Sequence, residues 1–367
     1  MKNNNKISFH PEKPFNNLPT LPPSVELETQ DILKKTILAS RSLAKLNGVC
    51  QKIPNPSILI NSLTLQEAKD SSEIENIFTT NDNLYQAFTA STGKIDAQTK
   101  EVIRYREALW NGYLALKNKS VLNTNLWINL VQTIKKNTAS IRNLPGTVIG
   151  NPVKGEIIYT PPEGEKVIRD LLHNLESYIH ENVTVDPLIK LAIIHYQFEA
   201  IHPFFDGNGR TGRILNILYL NQMDLLDLPI LYLSKYIIER KNDYYQHLQN
   251  VTAKYDWRPW ILYMLDAIDV TSQDTMKKVQ AIRSLLDKTI LFCREKLPKR
   301  VYSKELIELL FEQPFTKVKF LVDANIAERK TAAEYLRELE KIGVLSPKKI
   351  GKENVFIHNK LYELLSK

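Results

Sequence analysis

Apolar side chains recur at steps of three and four along most of this 367-residue chain, the spacing of helices that bury one face. The first such run covers residues 26–46. Later runs cover 82–92, 96–118 and 126–136; the second has Val102, Tyr105, Leu109 and Leu114 on one stripe, and Asn125 is placed to cap the third. Thr64 followed three residues on by Glu67 has the form of a capping box. A helix is therefore expected to open there and to run through Ser71-Ser72-Glu73-Ile74-Glu75-Asn76. Residues 142–162 break the period with three glycines and four prolines, and Thr147-Val148-Ile149 and Glu156-Ile157-Ile158-Tyr159 predict a small hairpin. After Pro161-Pro162 the helical spacing returns with Val167, Leu171, Leu175 and Ile179. It continues from residue 187 to about 268, interrupted by one glycine-rich loop and a turn near Leu228-Pro229. Residues 1–25 carry five prolines and are expected to be extended. The predicted fold is mainly α with a small β-hairpin.

A different pattern begins at residue 296. Residues 304–312, 316–323 and 329–341 predict three helices. Gly343-Val344-Leu345, a turn over 347–352 and Asn354-Val355-Phe356-Ile357 then predict a basic hairpin. Three helices and a hairpin is the winged helix-turn-helix arrangement. The expected organisation is a helical region over 1–120, a core over 121–290 with its hairpin at about 148–159, and a winged helix over 296–367.

Composition adds limits rather than a function. The chain carries 49 basic and 41 acidic residues, a net charge of +8, which favours acidic ligands. Residues 296–367 hold 15 of those bases and 10 of the acids, so five of the eight excess charges lie there. Cys50 and Cys293 are far apart and lack metal-ligand spacing, which points to a reducing compartment. No run approaches 18 apolar residues and the first residues lack an apolar signal core, so a cytoplasmic location is expected.

The chemistry concentrates in His202-Pro203-Phe204-Phe205-Asp206-Gly207-Asn208-Gly209-Arg210-Thr211-Gly212-Arg213. Helical spacing precedes the stretch, with Leu191, Ile194, Phe198 and Ile201, and follows it, with Ile214, Ile217 and Leu218. A glycine loop that opens a helix presents N–H groups and the positive end of the dipole, which suits phosphate. Arg210 and Arg213 share a face of the second helix and aim forked donors at one ligand. Gly207-x-Gly209-x-x-Gly212 imitates a dinucleotide fingerprint, and Asp227 even lies at a fitting distance. That motif must follow a strand, however, and residues 191–201 have helical spacing. A P-loop is excluded because no Gly-Lys-Ser/Thr follows the glycines. The residues describe an anion site with a base beside it.

The whole stretch resembles the signature of the Fic family, His-Pro-Phe-x-Asp/Glu-Gly-Asn-Gly-Arg-x-x-Arg, with every fixed position present. The lead-in Gln197-Phe198-Glu199-Ala200-Ile201, the hairpin, Tyr159-Thr160-Pro161-Pro162 and Asn242-Asp243-Tyr244-Tyr245 are also similar to that family. The resemblance covers roughly residues 15–290 and implies transfer of AMP from ATP to a protein hydroxyl. It makes His202 the base that takes the hydroxyl proton. It makes Asp206 the ligand of a Mg²⁺ ion bridging the phosphates; the same residue could equally serve as an Asx-turn cap of the next helix. Asn208 and the N–H groups from Gly207 through Gly209 to Arg210 would cradle phosphate. Arg210 and Arg213 would offset the charge that builds on pyrophosphate. Phe204 and Pro203 pack beneath the nucleotide loop and aim His202. Gln197, Tyr244 and Tyr245 align with nucleoside contacts of the family, although adjacent tyrosines are as readily explained by helix packing. His195 has no evident partner and reads as structural.

Two further expectations come from the same resemblance. The hairpin, at residues 148–159, would hold a target segment as an added strand. Ser71-Ser72-Glu73-Ile74-Glu75-Asn76 resembles the inhibitory motif Ser/Thr-x-x-x-Glu-Gly/Asn within a helix at about residues 65–78. Ser71 and Glu75 share a helix face, and the glutamate would pair with Arg213 and keep ATP unproductive. The expected partners are a target protein, the chain itself through auto-AMPylation, and a second copy. Competing readings are a DNA-binding regulator with a vestigial core, transfer of another phosphoryl-containing group, and removal of AMP.

Overall fold

The computed structural model describes residues 9–89, 95–151, 155–181, 184–351 and 353–366. In chain order the helices are α1 (Gln30–Cys50), α2 (Ser57–Ile74), α3 (Asn81–Thr89), α4 (Ala97–Lys117) and α5 (Thr124–Lys135). The strands β1 (Ile149–Asn151) and β2 (Glu156–Tyr159) follow. Then come α6 (Glu165–His180), α7 (Pro187–Ile201), α8 (Asn208–Gln222), α9 (Leu233–Glu239), α10 (Lys241–Lys254) and α11 (Trp257–Lys296). The remaining elements are α12 (Lys304–Glu312), β3 (Phe315–Thr316), α13 (Val318–Asp323), α14 (Arg329–Lys341), β4 (Ser346–Ile350), β5 (Glu353–Ile357) and α15 (Asn359–Ser366). The predicted class, mainly α with small antiparallel sheets, is the observed one. Two compact units are present. One comprises residues 1–44, 107–229 and 233–271; the other comprises 45–106, 230–232 and 272–367.

The first unit is organised around α7. Nearly every residue of this helix is buried, including Leu191, Ile194 and Phe198. It packs between α6 and α8, and α5 covers α8. Rings fix the interface: Trp127 of α5 meets Phe198 edge-on with centroids 5.6 Å apart. The Trp260 indole donates to the Ala192 carbonyl at 2.8 Å. Residues 9–29 form neither helix nor strand. Turns such as Lys13 N–H to His10 O at 3.0 Å and Leu18 N–H to Phe15 O at 3.1 Å interrupt the extended path expected over 1–25, of which residues 1–8 lie outside the described residues. Phe15 N–H donates to Thr160 O at 3.0 Å. The Asn174 amide takes both polar groups of Leu21, at 2.8 and 3.0 Å. β1 and β2 pair antiparallel, with Gly150 opposite Ile157; the turn residues 152–154 of the expected hairpin lie outside the described residues.

The second unit holds α2 and α3 together with α12 to α15 and the strands β3, β4 and β5. α2 packs on α12, where Asn55, just ahead of α2, donates to Glu312 at 2.9 Å. Strand order is β3-β5-β4, all antiparallel. Tyr85 of α3 stacks on Phe315 at 5.8 Å and meets Tyr362 of α15 at 5.9 Å. Several expected boundaries differ. α2 opens at Ser57, directly after Pro56, so Thr64 is not a cap. It lies mid-helix and its hydroxyl bonds back to the Ile60 carbonyl. α5 is capped by Asn123, not Asn125; the Asn123 side chain accepts from Leu126 N–H at 2.9 Å. Residues read as a turn after Ser346 form β4, and Pro347 is tolerated because β4 is an edge strand.

Candidate active site

α7 ends because Pro203 cannot continue it and because His202 turns left-handed, at φ 50° and ψ 59°. The His202 N–H still closes the last turn onto Phe198 O at 3.0 Å. Five residues after His202, Gly207, at φ 86°, starts α8; only glycine takes that conformation freely, and an added Cβ would stand 3.0 Å from Val131. Between these two turns the loop is held by Asn208. Its side-chain oxygen accepts the Phe204 N–H at 2.8 Å and its amide nitrogen donates to the Phe204 carbonyl at 2.7 Å. Phe204 is buried and its ring leans on Phe198 at 6.4 Å. Gly212 allows α8 to approach α7 closely: a Cβ there would lie 2.5 Å from Glu199 Oε1.

The charges follow from this frame. Arg210 and Arg213 are both 1% exposed, on the first turns of α8. Asp206 remains largely exposed and pairs with Lys135 of α5 at 2.5 Å and with Arg210 at 3.4 Å. Burial pushes the Asp206 carboxyl upward. The Lys135 bond and charge, with Arg210 and the Gly207 N–H, outweigh that and hold it below its ordinary value. It is an anion throughout the neutral range. Arg142, on the segment between α5 and β1, reaches the loop as well. Its Nε donates to His202 O at 2.7 Å, Nη2 to Ile201 O at 3.3 Å and to Pro162 O, and its own N–H donates to Pro203 O at 2.9 Å.

The other predicted residues are distributed unevenly. Gln197 is 1% exposed and donates to Pro19 O at 2.9 Å. Tyr244 is buried, with its hydroxyl 2.8 Å from His195 Nε2 and its ring 5.7 Å from Trp260. Its neighbour Tyr245 is 42% exposed. His195 therefore has a partner that its sequence surroundings do not reveal. Burial first, then the nearby Arg213 charge, push it down to about 3, so it is a neutral core residue. In the second unit, Ser71 is buried in the last turn of α2 and Glu75 is its C-cap.

Three family-level matches follow the chain in order: Fic/DOC family N-terminal over residues 33–114, Fic/DOC family over 122–220, and Protein adenylyltransferase SoFic-like, C-terminal domain, over 285–361. The chain belongs to the Fic family. It is similar to protein adenylyltransferase Fic of Drosophila yakuba and of Drosophila melanogaster. Each is 28% identical over 192 residues, which is 48% of this chain and 37% of the relative. The matched part thus spans little more than a third of those proteins. A crystal structure of a Fic family protein from Desulfovibrio desulfuricans G20 superposes with a TM-score of 0.59, at 17% identity, over 90% of this chain and 96% of that one. Fic-1 (residues 134–508) from C. elegans gives 0.52 at 20% identity, over 68% and 74%. At these identities the likeness is one of fold.

Within the Fic chain, Arg142 and Lys135 are the site-lining residues that sequence reading does not single out. Arg142 acts on main-chain carbonyls about 60 positions away, and no side-chain motif marks such a partner. Lys135 is the last residue of an ordinary amphipathic helix.

Proposed function

We propose that this Fic chain is a protein adenylyltransferase, which moves AMP from ATP to a Ser, Thr or Tyr hydroxyl of a target protein and releases pyrophosphate. The observation that carries the reading is one junction: a left-handed His202 ends α7 directly ahead of a glycine-capped helix bearing two buried arginines. In this reading the target oxygen attacks the α-phosphorus of ATP and the bond to the bridging β-oxygen breaks. The hydroxyl proton passes to His202. Arg210 and Arg213 stand where negative charge grows on the leaving pyrophosphate, and the first N–H groups of α8 face the same phosphates.

Asp206 is the one carboxylate of the loop. It is anionic and exposed, which fits a Mg²⁺ ion that takes one or two carboxylates and fills its remaining positions with water and phosphate oxygens. Bound there, the ion would polarise the phosphates. Tyr245, being exposed, is the aromatic carried forward as a nucleoside contact. The hairpin supports docking of a target segment through its exposed Val148. Two buried cysteines that form no disulfide among the described residues, and the use of ATP, favour a cytoplasmic setting. Glu75 is retained as the inhibitory acid that the family resemblance implies.

Incubation with α-labelled and γ-labelled ATP, followed by protein precipitation, tests the reaction. Label is expected on protein from the α position only. His202→Ala is expected to lower the rate by about 10²-fold or more, and Glu75→Gly to raise it. Retention of γ-label would replace AMP transfer by phosphoryl transfer. A Glu75→Gly protein no faster than wild type at saturating Mg·ATP would remove the inhibitory assignment.

A further inference from the structure

We propose that Arg142 is a positioning residue for the transfer: its guanidinium and N–H cap the carboxyl end of α7 and hold His202 in the left-handed conformation that aims its ring. The last carbonyls of any helix have no partner within it. Here the His202 N–H folds back to Phe198 O, but the next donor is missing because Pro203 has no N–H. Arg142 supplies the missing donors to three successive carbonyls, those of Ile201, His202 and Pro203. The carbonyl before them, of Ala200, accepts from the Tyr159 hydroxyl at 2.7 Å.

The choice of arginine follows from that geometry. Its planar fork donates from Nε to one side and from Nη2 to another, which a lysine ammonium on a flexible stem cannot do with fixed directions. Arg142 is 1% exposed, and among the described residues its hydrogen bonds all go to main-chain carbonyls. Burial lowers its proton affinity, opposed by Tyr159 and Glu163. A buried cation near a helix carboxyl end also complements the dipole there. Its bond to Pro162 O joins the strand exit behind β2 to the same cap. The hairpin base and the catalytic histidine therefore share one rigid support. The nucleotide side of the loop has its own support, the Asn208 bridge to Phe204. Loss of Arg142 should accordingly disturb the base and spare the phosphate cradle.

The proposal rests on His202 acting as the base, and the experiment separates the two. Wild type, Arg142→Lys, Arg142→Gln and His202→Ala are compared for transfer of α-label, with kcat and KM for ATP resolved. Arg142→Gln is expected to lose kcat on the order of 100-fold, the size of effect that a displacement of about 1 Å causes, with KM for ATP within about twofold. Arg142→Lys is expected to fall between it and wild type. Guanidinium ion at millimolar concentration is expected to restore part of the activity of an Arg142→Ala protein, whereas methylammonium is not. A kcat unchanged in Arg142→Gln, or a loss confined to KM for ATP, overturns the proposal while leaving the reaction intact. If wild type itself transfers no label, the reaction reading fails. The cap is then judged by the His202 ring resonances, identified by their absence in His202→Ala. They should move in Arg142→Lys at unchanged overall fold by circular dichroism, and unmoved resonances overturn it.

Discussion

Asn208 commits both ends of its amide to a single residue, and that fact separates two jobs for a side chain of the motif. An asparagine that only faced phosphate could be shortened with little effect on the empty protein. Here removal strands the N–H and the carbonyl of Phe204, both taken from water by the packing of its ring against Phe198. Each buried polar group left without a partner costs about 1–3 kcal/mol. Asn208→Ala is therefore expected to lower stability by about 2 kcal/mol or more, read by urea unfolding without nucleotide. Asn208→Asp should do no better, since it keeps the acceptor but sets an anion against the Phe204 carbonyl. An alanine variant as stable as wild type would leave the bridge without weight. Lys190 works as Arg142 does: its ammonium is buried and donates to Ile179 O at 3.1 Å and Glu181 O at 2.9 Å, finishing α6. The core of the first unit thus uses buried cations as helix caps.

Helix ends also explain the motif around Glu75. α2 stops because Asn76 takes φ 60° and the Ile77 N–H folds back to Ser72 O at 3.0 Å. A Gly/Asn position after the glutamate is what a left-handed stop demands. Several basic side chains between residues 296 and 367 face acids of their own unit. Lys317 meets Glu353 at 3.1 Å, Lys319 Asp323 at 2.7 Å, Lys341 Glu338 at 2.5 Å and Lys348 Asp82 at 3.0 Å. Each such pair is worth little to stability, but it removes field that DNA would use. Duplex DNA titrated at physiological salt is expected to bind no tighter than about 10⁻⁵ M, in the non-specific range. Tighter binding with a steep salt dependence would restore the regulator reading. The limits of sequence reading have the same origin in burial and partners. α12 and α14 were legible to the residue, because one apolar stripe and polar flanks mark their ends. α2 was misplaced because Ser62, Thr64, Gln66 and Glu67 are buried along with its apolar residues, which erases the stripe. α15 went unread: it is short and its apolar Leu361 and Leu365 carry no cap signal. The loop from His202 to Arg213 was legible because its chemistry is contiguous. Its supports, Arg142 and Lys135, were not, because they are joined to it only by folding.

Both compact units bury a neutral histidine, and this sets how the molecule responds to acid. His195 is held near 3 by burial and then by Arg213; His358 is held near 4 by burial and then by Lys360. An unfolded histidine takes up a proton near pH 6.5. Below that value the unfolded chain binds protons that the fold refuses, so stability falls as the pH falls, until the folded values are reached. Each ring should cost about 2 kcal/mol at pH 5 relative to pH 7. Asp70 and Asp186, whose carboxyls burial raises, act in the opposite sense, but starting from the carboxylate range rather than from 6.5. Between pH 7 and 5 the histidines should dominate. Melting temperature measured across that interval should drop, and His195→Asn and His358→Asn should each flatten the slope. The slope is the proper readout, because either substitution also loses packing: His195 stacks on Trp260 at 5.9 Å and His358 meets Phe311 at 4.9 Å. A double variant that lost melting temperature as steeply as wild type between pH 7 and 5 would show that other groups govern the acid response.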